Sequence, residues 1–288
     1  MPRHPSDPAA RTIVFSHANG FPAGTYRVLF EAWRAAGWRV LALPKLGHDA
    51  RFAVTSNWPR VRDELLAFID EHAPRQRVCL VGHSLGGYLS LLAGSRRPGL
   101  AQAIVLLDSP VLRGWKAHSV HVFKLTGAIR RVSPGRVSQN RRERWPSAAA
   151  ALAHFQSKRA FAVWDPRVLA DYIAAGTEPD PDDASGTGVR LAFRREVETR
   201  FYNTLPHQLA ATLGRHPPGC PVAYVAGTRS AEGRTVGLAT TRALTHGRIR
   251  TIEGSHLVPM EQPELTAATV LELLAEMTRP ADQVIASS

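Results

Sequence analysis

The chain has 288 residues, 44% of them apolar, and carries 36 Lys and Arg against 24 Asp and Glu, a formal charge of +12. A chain of this length buries about three-quarters of its extended surface, enough for one domain with a sizeable insertion. No apolar run approaches the roughly 18 residues needed to span a membrane. The polar, proline-rich start from Met1 to Pro8 lacks the apolar core of a secretory signal, so a cytoplasmic setting is expected. Cys79 and Cys220 each stand near the start of a predicted strand and are expected as reduced, buried thiols.

In chain order, Arg11 to Ser16 reads as a strand, Tyr26 to Ala36 as a helix, Arg39 to Leu43 as a strand and Trp58 to Glu71 as a helix. A strand from Val78 to Val81, a helix from Leu85 to Ser95 and a strand from Ala103 to Leu107 follow. Short, nearly continuous apolar strands joined by helices predict a parallel sheet covered on both faces. Gly82-His83-Ser84-Leu85-Gly86 sits where the Val78 strand changes abruptly into the Leu85 helix. In so tight a turn the central residue is strained, and only small residues two positions either side let strand and helix approach. Gly82 and Gly86 meet that demand, which makes Ser84 a candidate nucleophile. The free N–H groups and positive dipole end of the next helix point to where an anionic intermediate would form.

From Pro110 to Pro206 the rhythm breaks into helical stretches, Trp115 to Arg130, Ala148 to Phe161 and Arg167 to Ala175, and a turn-rich piece, Glu178 to Gly188, expected to be mobile. Strands then return at Val222 to Ala226 and Arg248 to Ile252, and an acidic-then-apolar helix begins near Gln262. Between the last strand and that helix lies Gly254-Ser255-His256. A loop histidine there can swing over Ser84, take its proton and hand it to a leaving group.

Three motifs carry a family likeness: Ser16-His17-Ala18-Asn19-Gly20-Phe21-Pro22 after the first strand, the Ser84 turn, and Gly254-Ser255-His256 followed by Glu261-Gln262-Pro263. With them the chain resembles the α/β-hydrolase superfamily, specifically its cap-bearing single-domain esterases. The resemblance implies an α/β fold with a mostly parallel central sheet of about six strands, the first two family strands missing, and helices on both faces. It also implies a core formed by residues 1–109 and 207–288 and a mainly helical cap inserted over 110–206. The family's triad acid usually follows the strand after the cap in a Gly-x-x-Asp turn, but here the turn reads Gly227-Thr228-Arg229-Ser230. Asp108, at the end of the preceding strand, is the preferred substitute, as in some relatives, with Glu232 the alternative and a site without a working acid a third reading. The implied oxyanion donors are the amides of Leu85 and Asn19, with Phe21 in place of Asn19 as the second choice. His17, His83, Trp115 and Trp164 are expected against the substrate. Phe123, Phe155, Phe161 and Tyr202 are further candidates, although such rings more often fill the core beneath a cap.

The expected activity is hydrolysis of a small carboxylic ester, thioester or lactone through an acyl-enzyme on Ser84. Carbon–carbon bond hydrolysis on the same fold is an alternative. So is a silent small-molecule binding protein, motivated by the aspartate missing after Gly227. Epoxide and haloalkane hydrolysis are disfavoured because those relatives carry an aspartate where this chain has Ser84. No Cys, His and carboxylate cluster has zinc-like spacing and no phosphate-loop pattern occurs, so no metal and no cofactor are expected. Six arginines between Arg130 and Arg144 form a basic patch. A solvated face that steers anionic esters toward the cleft is preferred over a nucleic-acid partner, for which no motif exists, and docking of this patch on a partner or membrane surface is a third reading. Arg194 and Arg195 beside Glu196 and Glu198 read as a surface ion network. The oligomeric state stays open, a homodimer being compatible.

Overall fold

The computed structural model describes residues 11–111, 135–236 and 238–279. The expected helix from Trp115 to Arg130, with Trp115 and Phe123, lies outside them. The N-terminal half alternates as the apolar pattern requires: β1 (Thr12–Ser16), α1 (Arg27–Ala35), β2 (Arg39–Ala42), α2 (Pro59–His72), β3 (Val78–His83), α3 (Leu85–Arg96) and β4 (Ala101–Leu107). Next come α4 (Gly135–Asn140), β5 (Arg144–Trp145), α5 (Ala148–Gln156), α6 (Pro166–Gly176), β6 (Thr177–Pro179), β7 (Val189–Leu191), α7 (Arg195–Asn203) and α8 (Leu209–Arg215). The chain then returns to the sheet through β8 (Val222–Gly227), α9 (Ala231–Val236), α10 (Ala239–Thr245), β9 (Ile249–Ile252), α11 (Val258–Glu261) and α12 (Pro263–Thr278).

Among the described residues six strands pair in the order β2-β1-β3-β4-β8-β9, every neighbour parallel, the central sheet that the family resemblance implied. Because side chains alternate along a strand, the sheet feeds two cores. Ile13, Phe15, Cys79, Val81, Ala103 and Val105 meet Leu29 and Trp33 of α1 and Val270 and Leu273 of α12. Val14, Leu80, Ile104, Leu106 and Tyr224 meet Val61 and Leu65 of α2 and Leu89 and Leu92 of α3. The Trp33 indole N–H, fully buried, donates to the Ala267 carbonyl at 3.1 Å and so ties α1 to α12. In this open parallel sheet the carboxyl ends of β1, β3, β4 and β8 lie side by side, which is where α/β sheets carry their sites.

The segment between β4 and β8 is less helical than its pattern suggested. β5, β7 and β6 form a small antiparallel sheet in that order. Strands of two or three residues have no periodicity to read, and this sheet depends on contacts between distant parts of the segment. The turn-rich Glu178 to Gly188 is organised by its own hydrogen bonds: the Asp183 carboxylate accepts from the backbone N–H groups of Thr187 at 3.1 Å and Gly188 at 2.7 Å. The basic patch is also partly neutralised. Arg144 pairs with Asp180 and Asp182, whereas Glu143 in the same stretch is taken by Arg195 from outside the patch. The surface network expected around Arg194 and Glu198 does not form as such, because Glu198 is buried and pairs with Arg141. Both cysteines are free, Cys79 buried and Cys220 half-buried. No helix among the described residues is long and apolar enough to cross a membrane.

Candidate active site

The site is assembled from four strand ends and one loop. Ser84 stands between β3 and α3 with φ 54° and ψ −113°, a conformation that costs a non-glycine residue of order 1–3 kcal/mol. The surroundings hold it there. Its N–H donates to the Leu107 carbonyl at 2.9 Å, and its carbonyl accepts from the Ser109 hydroxyl at 2.8 Å. A Cβ on Gly82 would overlap the Gly86 carbonyl, and one on Gly86 would overlap the Ser16 carbonyl. Both clashes are with backbone, which cannot rotate aside. Gly86→Ala is therefore expected to lower stability by about 3 kcal/mol or more, read from urea midpoints at constant slope. By contrast Gly214→Ala, in open space in the last turn of α8, is expected to be neutral or stabilising by up to about 1 kcal/mol. Equal midpoints for the two variants would contradict the close packing described at the turn.

Ser84 Oγ lies 3.0 Å from His256 Nε2, and His256 Nδ1 lies 2.7 Å from Asp108 Oδ2. A carboxylate can only accept, so Nδ1 carries the ring proton and Nε2 presents its lone pair to the Ser84 hydroxyl, which donates to it. Asp108 is itself at positive φ, 45°, and its side chain is sealed from solvent. Its Oδ1 accepts from the Tyr224 hydroxyl at 2.9 Å, and its Oδ2 also accepts from Ser230 at 2.5 Å. Ser230, at the position where the resemblance led to the expectation of an aspartate, thus supports the carboxylate that follows β4. Glu232 is the outer neighbour: its Oε2 is 3.7 Å from His256 Nδ1 and 3.0 Å from Ser230 Oγ. One hydroxyl proton on Ser230 can serve only one of the two carboxylates at a time. Burial disfavours the His256 cation, but the hydrogen bond to Asp108 and the charges of Glu232 and Asp108 outweigh it, holding the imidazole pKa above its ordinary 6.5. Asp108, Glu232 and His256 are also the described residues whose donor atoms converge, within 4.8 Å. In the structure these atoms hydrogen-bond one another, Tyr224 and Ser230 as one cluster.

The loop after β1 faces this group. Asn19 anchors it by donating from Nδ2 to the Glu198 carbonyl at 3.0 Å, and Gly20 turns with φ +82° against the Glu198 carboxylate. The Phe21 amide donates to the Ala18 carbonyl at 3.2 Å, which spends it inside the turn. Leu85 opens α3, where the first amides have no intrahelical acceptor.

Two histidines expected against a substrate serve the scaffold instead. His17 is fully buried, with Nδ1 donating to the Ala18 carbonyl and Nε2 accepting from the Leu46 N–H, both at 2.8 Å. Burial lowers its pKa to about 4, so it stays neutral. His83, also fully buried, donates from Nε2 to the His256 carbonyl at 2.9 Å and accepts at Nδ1 from the Tyr26 hydroxyl at 2.8 Å. Tyr26 in turn accepts from the Ala18 N–H at 3.1 Å. Burial and the proximity of His256 push the His83 pKa down to about 3, which fixes this chain in one protonation state. The sequence signalled neither Tyr26 nor this strut between the two loops, because the variable slot of Gly-x-Ser-x-Gly prescribes no side chain. Trp164 is buried in an aromatic cluster with Phe21, Phe161 and Tyr172, which Phe155 joins. Tyr202 is half-buried with its hydroxyl beside Asn19.

Comparison with known proteins places the chain in a family. Residues 13–269 match the alpha/beta hydrolase family. The rice protein "Probable esterase PIR7A" (Oryza sativa) is 28% identical over 171 residues, 58% of this chain and 61% of the relative. The chain thus spans less than two thirds of that relative's length. Monoglyceride lipase of Rattus norvegicus is 30% identical over 114 residues, 38% of each chain. Among solved structures, E-2-(acetamidomethylene)succinate hydrolase superposes with a TM-score of 0.69 at 18% identity over 92% of this chain and 91% of its own, a likeness of fold. With a family match that runs from β1 to the middle of α12, this chain belongs to the alpha/beta hydrolase family.

Proposed function

We propose that this protein is a serine hydrolase that cleaves small carboxylic esters through an acyl-enzyme. Ser84 Oγ attacks the carbonyl carbon as His256 Nε2 takes its proton. The tetrahedral oxyanion is held by the amides of Leu85 and Asn19, Phe21 being spent in its turn. Collapse breaks the ester C–O bond, and His256 returns the proton to the departing alcohol. Water then attacks the acyl carbon with His256 again as base, releasing the acid and restoring Ser84. Asp108 holds the imidazole tautomer and stabilises the imidazolium. The insertion over 110–206 acts as the cap that roofs the acyl pocket, with Trp164 and its aromatic neighbours as part of that roof. The single observation that carries this reading is the unbroken path Ser84–His256–Asp108 at 3.0 and 2.7 Å.

The same path weakens the silent-binder alternative, whose motive was a missing acid. The test is pre-steady-state hydrolysis of p-nitrophenyl esters, with thioesters and lactones alongside. A p-nitrophenol burst near one per chain, followed by slower turnover, is expected. No turnover on any of the three classes by folded protein would favour the binder.

The base must be neutral to act, so kcat/KM is expected to rise with pH through the raised His256 pKa and to fall as pH drops through it. Glu232 favours the imidazolium by charge alone, from a half-exposed position. Glu232→Gln is thus expected to move the acid limb to lower pH while the plateau changes less than about tenfold. An unmoved limb with a collapsed plateau would make Glu232 the working acid.

A further inference from the structure

Arg141, from the loop between α4 and β5, reaches the protein interior with its hydrogen bonding half used. Nη1 donates to Glu198 Oε1 at 3.2 Å, while Nε and Nη2 are sealed from solvent and have no hydrogen-bond partner. Those two nitrogens form the edge of the guanidinium that presents parallel N–H groups, the geometry that matches a carboxylate bidentately. The buried Tyr172 hydroxyl adjoins the same guanidinium and also lacks a well-formed hydrogen bond. Buried polar groups are rarely left without acceptors, since each costs about 1–3 kcal/mol, more when charged. Glu198 Oε2, 3.2 Å from Nη1, is likewise a buried atom without a hydrogen-bond partner, so the chain's own carboxylate sits on the other edge of the guanidinium and leaves the Nε–Nη2 edge and the Tyr172 hydroxyl unserved.

These groups adjoin the loop after β1, which carries Asn19. Glu198, the partner of Arg141, is held by Asn19 and lies against Gly20. Tyr172 packs its ring on Phe21 at 5.6 Å. Tyr202, with its hydroxyl beside Asn19, lies within electrostatic reach of Glu198, Arg141 and Glu232. The other arginines described in the basic patch differ: Arg144 spends its donors on surface carboxylates, and Arg142 donates to the Arg144 carbonyl and rests on Trp145.

We infer that Arg141, with the Tyr172 hydroxyl, binds a carboxylate carried by the ester substrate, so that the enzyme selects half-esters of dicarboxylic acids or esters of carboxylated alcohols over neutral esters. The inference rests on the ester-hydrolase reading of Ser84. A monoanion fits better than a phosphate dianion because the Glu198 carboxyl stands on the far edge of the same guanidinium. Burial pushes the Glu198 pKa up against the pull of Arg141, which leaves the arginine charge less fully offset.

The test compares kcat/KM for matched pairs, after subtraction of spontaneous hydrolysis. On the acyl side, p-nitrophenyl half-esters of succinic, glutaric and adipic acid are set against branched neutral esters of the same shape, in which two methyl groups replace the carboxylate oxygens. On the alcohol side, 4-acetoxybenzoate is set against 4-methylphenyl acetate. Wild type is expected to prefer the anion on one of the two sides by about tenfold or more, and to keep most of that preference in ~1 M salt, where surface steering is screened. Because Arg141→Gln alone leaves Glu198 buried without a partner, the deciding variant is Arg141→Gln combined with Glu198→Gln. Its anion-to-neutral ratio is expected to fall to about one, whatever happens to the absolute rates, and Arg141→Lys, which keeps charge but not the fork, to fall between. No anion preference in wild type on either side, a preference lost in salt, or an unchanged ratio in the double variant would each overturn the inference. Hydrolysis of the neutral esters by wild type reads the Ser84 chemistry separately, so failure of one reading is not mistaken for failure of the other.

Discussion

Ser84→Ala is expected to lower kcat for ester hydrolysis by about 10⁴-fold or more while the far-UV circular dichroism and urea midpoint stay near those of wild type. The asymmetry follows from what the hydroxyl touches. Ser84 Oγ meets His256 Nε2, and the elbow itself is held by backbone bonds to Leu107 and Ser109 that an alanine keeps. Alanine tolerates the strained φ no worse than serine does. Some rate above water is expected to survive, since the Leu85 and Asn19 amides would still polarise a carbonyl for attack by solvent. A folded variant retaining more than about a tenth of wild-type turnover would remove Ser84 from the chemistry.

Asp108→Asn should cost on the order of 10³–10⁴-fold in kcat with a smaller change in KM. The asparagine has nearly the shape of aspartate and can still accept from Tyr224, so the site should stay assembled. At His256, however, an amide N–H₂ facing Nδ1 would favour the tautomer that carries its proton on Nε2, turned toward Ser84. That ring cannot act as a base. Glu232 stands 3.7 Å from Nδ1 and is the nearest replacement, so Asp108→Asn combined with Glu232→Gln is expected to lose more than the single variant. The order of effects separates the two acids directly. If Glu232→Gln alone cost the larger factor, β4 would supply structure and α9 the acid.

The fold was legible because its signals are local. Near-continuous apolar runs such as Val78 to Val81 and Ala103 to Leu107 end at glycine or polar residues, and every one of the six sheet strands lies within two or three residues of its expected bounds. Gly82 and Gly86 announced the Ser84 turn for the same reason, since a steric demand on the backbone is written directly in residue size. The geometry of the acid was less legible. Asp108 and Ser230 lie on neighbouring strands far apart in the chain, and only the pairing of β4 with β8 brings Ser230 onto the Asp108 carboxylate. His17 and His83 misled because a histidine near a site looks alike in sequence whether its ring meets solvent or is sealed, as His83 is between Tyr26 and a carbonyl and His17 between a carbonyl and the Leu46 N–H. Glu198 and Arg141 misled through charge: in an arginine-rich segment nothing marks which pair the tertiary structure will bury. The small β5-β7-β6 sheet carried no signal of its own, its strands of two or three residues being too short to repeat even the two-residue alternation of a strand.

The most direct measurement of the central claim is the intact mass of the full chain after a fluorophosphonate probe, followed by peptide mapping, with Ser84→Ala and His256→Ala treated in parallel. One phosphonyl group on wild type, mapped to Ser84, absent from Ser84→Ala and formed far more slowly on His256→Ala, is the expected result. Folded wild-type protein that takes up no probe, or that takes it up at another residue, would contradict a hydroxyl activated by the chain's distant imidazole.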